Sequence, residues 1–368
     1  MNLSEIIADV YFTVGEAKDN SRFSETILKT LINRVYQTLS LSEHYRYSLK
    51  ESVVTIPVTA LSADATTGDL TITVDAITGF GKNRKILITD NSNFEYKTIS
   101  SITGLTITLT DALENDYDTD SYVVLDEMFL PWDCGYIIGM TIWSDSNSKL
   151  TLYRDTILDR TYPKREGLGD YPTEVYFLGE NSTSEGTFTA GVGTDTTKIV
   201  CTSLPSTESD YYNGWLINNT TRKLYSRVSD YNGTSKTLTM QKAITGQVST
   251  DSFELIPKLK SFVVYVSPDA SISIKIKYRA IPAELVNDYD IPQYIPEQFH
   301  NVLVFGTVTE LFSRDPNNRD SLAFAQVFEQ KYNMLLSKLS DSVQNEDEFL
   351  SWDNNGTVGG TTSWSLLE

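Results

Sequence analysis

The chain is short of the residues that carry most enzyme and metal chemistry. It has two cysteines, Cys134 and Cys201, and two histidines, His44 and His300. Two cysteines make neither a disulfide framework nor a Cys-rich zinc site. Two histidines far apart in sequence leave little for a His-based metal cluster or a proton relay. Basic residues are scarce too: 30 Lys+Arg stand against 49 Asp+Glu, a formal net charge of −19. Phosphate affinity comes from clustered Lys and Arg, so the composition argues against sequence reading of DNA or RNA. No apolar run approaches the roughly 18 residues of a membrane-spanning helix. The start, MNLSEIIADV, lacks the basic stretch and long apolar core of a secretory signal.

What is present is the composition of a folded protein. Hydrophobic residues make up 40% and charged residues 21%, which excludes a disordered chain. At about 100–200 residues per domain, a chain of 368 residues holds two or three folding units.

The two ends read as helices. Asn2 followed by Glu5 has the spacing of a capping box, and Leu3, Ile6, Ile7, Val10 and Val14 recur at helical spacing before Gly15. A second helix is expected from about Arg22 to Leu41, with Ile27, Leu31, Val35 and Leu39 on its apolar stripe. Near the other end, Pro296 suits the first position of a helix carrying Phe299, Val302, Leu303 and Gly306, which Asp315-Pro316 interrupts. Asp320 is placed to cap a last helix with Leu322, Ala325, Phe328, Tyr332, Leu335, Leu336, Leu339 and Val343. Two helices first and two last, each with an apolar face to cover, predict a small bundle from which a β region protrudes.

Residues 45–290 are rich in Thr, Val, Ile and Tyr with frequent turn residues, as in antiparallel sheet. Residues 70–125 and 197–256 share an order: strand, turn, strand with a Gly-led aliphatic run, strand, Gly turn, strand, longer loop, final strand. This predicts a duplicated small barrel or sandwich. Residues 59–126 carry 11 acidic and 4 basic residues, and 184–256 carry 7 and 6. The modules therefore differ by six charges and should meet different surroundings. The expected fold class is α+β. Segments 1–57, 128–183 and 257–341 form the helical bundle and antiparallel β core, and 58–127 and 184–256 are inserted β modules. Residues 342–368 form an extended acidic tail, with six acids and no basic residue from Asp341 on. Phe349, Leu350, Trp352, Trp364, Leu366 and Leu367 are the candidate anchors by which that tail docks on a partner.

Motifs for chemistry are few. Asp116, Asp118, Asp120 and Glu127 have the spacing of oxygen ligands in an EF-hand loop. Against calcium, Ser121 stands where the loop needs Gly, and Tyr122–Leu125 reads as strand; an acidic solvated turn is the plainer reading. Cys134 has Asp133 beside it, but neighbours on a strand face opposite ways, so no nucleophilic constellation forms there. No segment singles out a carboxylate pair for glycoside cleavage. GLGDYP at 167–172 lacks the strand-to-helix context of a phosphate cradle, so no cofactor is expected. The 21 tyrosines suit half-buried strands and protein interfaces, or sugar stacking.

One sequence of weak motifs runs along the chain. After two helices comes Phe129-Leu130-Pro131-Trp132-Asp133, then Lys149-Leu-Thr-Leu152, Asp159-Arg-x-Tyr162-Pro163 and Tyr171-Pro-Thr-Glu-Val-Tyr176-Phe177. Val264-Tyr-Val-Ser-Pro268, Ile276-Lys-Tyr278-Arg-Ala-Ile-Pro282 and Ile295-Pro296-Glu-Gln-Phe299-His300 follow, ahead of the helix with Phe328 and Tyr332. This order resembles the head-to-tail adaptor (connector) proteins of tailed bacteriophages over about 1–57, 128–183 and 257–341. The modules and tail depart from the short forms of that family, and segments like 70–125 resemble decorations of phage tail and baseplate proteins. The resemblance implies no enzyme activity. It implies a virion neck protein, assembled in the host cytoplasm, that forms a dodecameric ring of its own copies. Such a ring docks its helices on the portal protein and meets tail or nozzle proteins below. DNA passes through without specific binding during packaging and ejection, and no membrane is involved. The competing readings are a glycan-binding or receptor-binding phage tail protein and a polysaccharide-degrading tail enzyme.

Overall fold

The computed structural model describes residues 1–16, 23–41, 48–90, 92–143, 145–154, 168–169, 171–181, 183–207, 209–314 and 319–350. It is a mixed α+β structure that divides into two units, one of residues 1–50 with 279 onward and one of Glu51–Tyr278. The chain passes between them only twice. The β core strands expected to group with the helices therefore fall in the second unit, together with both modules.

The first unit holds α1 (Leu3–Val14), α2 (Glu25–Leu41), α3 (Asn301–Ser313) and α4 (Arg319–Leu350). The capping box forms: the Glu5 amide donates to Asn2 Oδ1 at 2.9 Å, and the Asn2 amide donates to Glu5 Oε2 at 2.8 Å. Gly15, at φ 77°, ends α1 in the left-handed region that favours glycine. On α2 the buried face is Leu28, Leu31, Ile32, Val35, Tyr36 and Leu39, whereas Ile27 is 49% exposed. A straight run of i+4 steps drifts off a 3.6-residue helix, so the expected stripe was misplaced at its first position.

Pro296 does not open an α-helix. It precedes a short 3₁₀ turn, Glu297–Phe299, and α3 begins at Asn301. Asp320 lies inside α4, one residue after its start, rather than capping it. The helix then runs to Leu350, so 342–350 is helical where an extended tail was expected.

One apolar cluster draws from both chain ends: Leu3, Ile6, Val10, Leu28, Ile32 and Val35 pack with Leu303, Val304, Val308 and Phe328. Gly306 permits this closeness. A methyl group there would lie 2.7 Å from Val35 Cγ1 and 2.9 Å from the Tyr332 ring. Polar bonds add register. Leu285 N donates to Asn33 Oδ1 at 2.7 Å, Asn33 Nδ2 returns a bond to Leu285 O at 2.9 Å, and Tyr294 N donates to the Tyr36 hydroxyl at 3.1 Å.

In the second unit, a four-stranded sheet has the order Leu49–Ile56, Ile272–Ala280, Cys134–Ile142, Asp145–Lys149. Another has Thr151–Arg154, Glu174–Asn181, Leu259–Tyr265, Met128–Phe129. Its Thr151–Arg154 and Glu174–Phe177 pairing is parallel, an exception to the antiparallel expectation.

The two modules are six-stranded curled sheets of the same topology. In the first, the strands in chain order are Val58–Ala60, Thr71–Thr73, Lys85–Thr89, Phe94–Thr103, Thr106–Leu109 and Tyr122–Leu125. In the second they are Gly186–Thr189, Lys198–Val200, Leu216–Asn219, Leu224–Asn232, Thr237–Met240 and Ser252–Ile256. Both sheets run first, sixth, third, fourth, fifth, second. Both long fourth strands carry a register shift, between Ile99 and Ser101 and between Val228 and Asp230. Such a bulge bends the strand so that it serves both halves of a curled sheet. The outer strands approach each other at the Leu61–Val74 bridge in the first module, and Gly191 N donates to Val200 O at 2.6 Å in the second. Alternation puts Ile107 and Leu109 inside and Thr106 and Thr108 outside, and the second module repeats this with Leu238 and Met240.

Candidate functional site

The acidic loop weighed for calcium and read as a turn helps to hold the first module closed. Asp116 Oδ1 accepts from the Thr67 amide at 2.7 Å and the Thr67 hydroxyl at 2.9 Å. Asp64 Oδ1 does the same for Thr119, at 2.7 and 2.6 Å. Between these staples, Ala65 and Tyr117 exchange backbone bonds of 2.9 and 2.8 Å. The bonds from Thr67 hold the Asp116 carboxyl below its ordinary value, and those from Thr119 do so for Asp64. Asp118 and Asp120 are exposed, Asp120 at φ 77° in a turn, while Glu127 is buried. The structure does not bring the four together; among the described residues no group of three or more His, Cys, Asp or Glu is placed to hold a metal.

The remaining candidates are dispersed. Burial pushes the Cys134 thiol up to about 12, which leaves almost no thiolate at neutral pH. Its neighbour Asp133 accepts a 2.9 Å bond from the Tyr278 hydroxyl. His300 is buried in the other unit, bonded to Ile295 O at 2.9 Å, and burial lowers its pKa. His44 lies outside the described residues, as do Trp352, Trp364, Leu366 and Leu367. Phe349 and Leu350 close α4, and their side chains also lie outside the description.

The arrangement that sequence reading missed lies where the two modules meet. Asn83, at φ 61°, turns the chain ahead of the third strand of the first module, and its Nδ2 donates to Ser184 O of the second at 3.1 Å. The next residue, Arg84, is buried. Its guanidinium lies 3.9 Å from the Phe129 ring centroid and donates to Glu127 O, while Nε has no hydrogen-bond partner. Desolvation lowers the Arg84 pKa from its very high ordinary value.

Across the junction, Glu185 is 3% exposed and its Oε2 has no partner. Burial pushes its carboxyl up to about 7, against the opposing pull of the Tyr212 hydroxyl bond and the charges of Lys82 and Arg84. A cavity of about 280 Å³ has Glu185 among its lining residues, together with Ile77, Phe80, Lys82, Pro205 and Tyr211. A second, of about 290 Å³, lies on the other side of Tyr211 and is lined by Arg84, Phe129 and Trp215. Tyr211, Tyr212 and Trp215 pack edge-on or tilted, with centroids 4.9–5.7 Å apart.

The first cavity has one carboxyl-bearing residue, Glu185, in its lining, and the unpartnered Oε2 of that residue is closed off from the space. Glycoside cleavage needs two carboxyl groups facing one bond, and Glu185 is alone among the described residues lining this cavity. No family model matches the chain, and no curated protein matches it. Among the described residues no helix is long and apolar enough to cross a membrane.

Proposed function

We propose that the protein is a non-enzymatic structural protein of a tailed-phage virion, joining the portal to the tail as a homo-oligomeric ring through which DNA passes. The observation that carries this reading is the pairing of chain ends. Apolar faces from 1–41 and 295–339 share one cluster, so the β unit is an excursion from a helical foot. That agrees with the ordered motifs by which the chain resembles head-to-tail adaptors. In this reading the four helices are a bundle that docks on the portal, and the two modules present surfaces to tail or nozzle proteins. The net charge of −19 per copy suits a passage for DNA, since an acidic ring repels phosphate and lets the duplex slide.

The test is particle mass. Mass photometry and negative-stain imaging of the purified protein, alone and mixed with portal protein, should show a ring of about twelve copies docked on the portal. A stable trimer that ignores portal protein overturns the reading.

A glycan-binding or receptor-binding tail protein is the second reading. It is favoured by ring faces left open to solvent: Tyr225 is 74%, Tyr136 61% and Trp143 58% exposed. Glycan-array binding lost on replacing these three by Ala would support it over the connector. Turnover of a polysaccharide would point instead to a degrading tail enzyme.

A further inference from the structure

We propose that an exposed apolar stripe on α4 is covered by the acidic outer face of α1 from a second copy of this chain. The inference rests on the ring reading above and names the two surfaces that join neighbouring copies.

The two faces are complementary in charge. On α4, Phe324, Val327, Lys331, Met334 and Lys338 follow at steps of three and four, so they form one continuous stripe. Phe324 is 54%, Val327 50% and Met334 52% exposed, three large apolar side chains in a row rather than scattered singly. The charges on this stripe are both positive. Glu329, the one acid between Leu322 and Ser340, lies on the opposite side of the helix. Lys331 Nζ sits over the Phe305 and Phe328 rings, 5.5 and 5.3 Å from their centroids, at the edge of the stripe. On α1 the exposed residues Glu5, Ala8, Asp9 and Phe12 share the outer face, and the helix has no basic residue. Phe12 is 85% exposed, flanked by those acids.

Geometry favours a neighbour over the chain itself. The central helix α3 packs on α1, α2 and α4, whereas α1 and α4 scarcely meet among the described residues, so a copy does not cover its stripe with its own α1. Self-pairing of either face is opposed by charge. Two α4 stripes set Lys331 and Lys338 against their equivalents, and two α1 faces do the same with Glu5 and Asp9. Placing α1 of one copy on α4 of the next brings opposite charges together instead. That contact is head to tail, the kind that closes into a ring when the rotation allows. Shape agrees: Val327, Gln330, Lys331 and Met334 stand at i, i+3, i+4 and i+7, the corners of a hole on one helix, and Phe12 is a knob of the size to enter it. Asp9, nearly one turn before Phe12, then comes within reach of Lys331 or Lys338, according to the direction in which α1 lies.

Mass photometry of the full chain over a concentration series, with and without portal protein, tests this, with melting temperature as the folding control. Asp9→Lys, and separately Lys331→Glu with Lys338→Glu, should each raise the concentration needed for assembly at least about tenfold. The three changes together should recover most of that loss. A second measurement uses Ala8→Cys with Gln330→Cys, both at exposed positions, oxidised with copper phenanthroline. The double variant should give a ladder of disulfide-linked copies, whereas either single variant can give dimers at most; the native Cys134 and Cys201 are buried. Assembly indifferent to the charge reversals, no recovery in the triple variant, or no ladder overturns this interface and leaves the ring reading standing. A wild type that stays monomeric both alone and with portal protein overturns the two together. Assembly lost in a chain ending at Leu350 assigns the stripe to the acidic C-terminal stretch and also overturns the proposal.

Discussion

Glu95 and Lys97, two residues apart on the fourth strand of the first module, close an ion pair of 3.1 Å with both side chains only 5% exposed. Glu95 also accepts from the Glu114 amide at 3.0 Å and from Asn115 Nδ2 at 2.6 Å, and Lys97 donates to Ala112 O at 2.7 Å. The pair thus pins the loop between the fifth and sixth strands. Those bonds hold the Glu95 carboxyl below its ordinary value and the Lys97 amine above it, although desolvation opposes both. Replacing one partner strands a buried charge. Lys97→Met or Glu95→Gln alone should cost about 3–5 kcal/mol in urea denaturation, and the double substitution less than the sum. Strict additivity would show that the pair is not coupled.

The second module uses a different staple at its own fifth-to-sixth loop. Arg222 Nε donates to Asp251 Oδ2 at 2.9 Å and Nη2 to Oδ1 at 3.2 Å, while Asn219 Nδ2 reaches Oδ2 at 3.2 Å. Arg222 holds the Asp251 carboxyl below its ordinary value. A carboxyl depressed in the folded state contributes stability that is present above its unfolded value, about 3.9, and is lost as pH falls through the folded value. Asp251→Asn should therefore cost about 1–2 kcal/mol at pH 7, lowered from the buried-pair range because Arg222 is 36% exposed. The gap from wild type should close below about pH 4 in thermal melts recorded across pH. A gap that stays constant from pH 7 to 3 would assign the cost to packing instead.

These staples help to explain how much could be read in advance. The repeat was legible because five of the six strands in each module follow one another in the same order with matching turns. Their first strands, Val58–Ala60 and Gly186–Thr189, were not aligned, since short strands with half-open faces look like loop. The helices at both ends were legible from apolar spacing and the Asn2–Glu5 box. The junction was invisible, because Asn83 meets Ser184 across 101 residues and no local pattern announces a buried Arg84 or Glu185. The role of Asp116 was hidden for a similar reason: the acidic turn was the plainer reading there, but its partner, Thr67, lies 49 residues away.

Gly214 offers a test of how tightly the second module is seated on the β core. It has φ 80°, and a methyl group there would fall 2.0 Å from Trp132 Cβ and 2.4 Å from Cγ, the stem of a side chain that cannot swing aside. Gly104 is the internal control, with φ 59° and no atom within 4 Å of its would-be methyl group. Gly104→Ala should cost about 1 kcal/mol through backbone strain alone. Gly214→Ala adds overpacking and should cost about 2–4 kcal/mol, with a change in Trp fluorescence that the control lacks. Equal costs at the two positions would mean that Trp132 is not held against the turn.

Truncating the acidic C-terminal stretch tests docking apart from folding. The last described side chain of α4 in the apolar cluster is Leu339, 1% exposed, so a chain ending at Asp341 keeps every described core contact of that helix. Its melting temperature should stay within about 2 °C of the full chain. If residues 342–368 anchor the protein on its partner through Phe349, Leu350, Trp352, Trp364, Leu366 and Leu367, the same truncation should reduce co-sedimentation with portal protein sharply. A chain ending at Leu350 restores the helix length and two of the six anchors. Binding that returns with it would place the contact on the end of α4, and binding still lost would place it on the tryptophans beyond. Full portal binding by the chain ending at Asp341 would take the whole stretch out of the docking role.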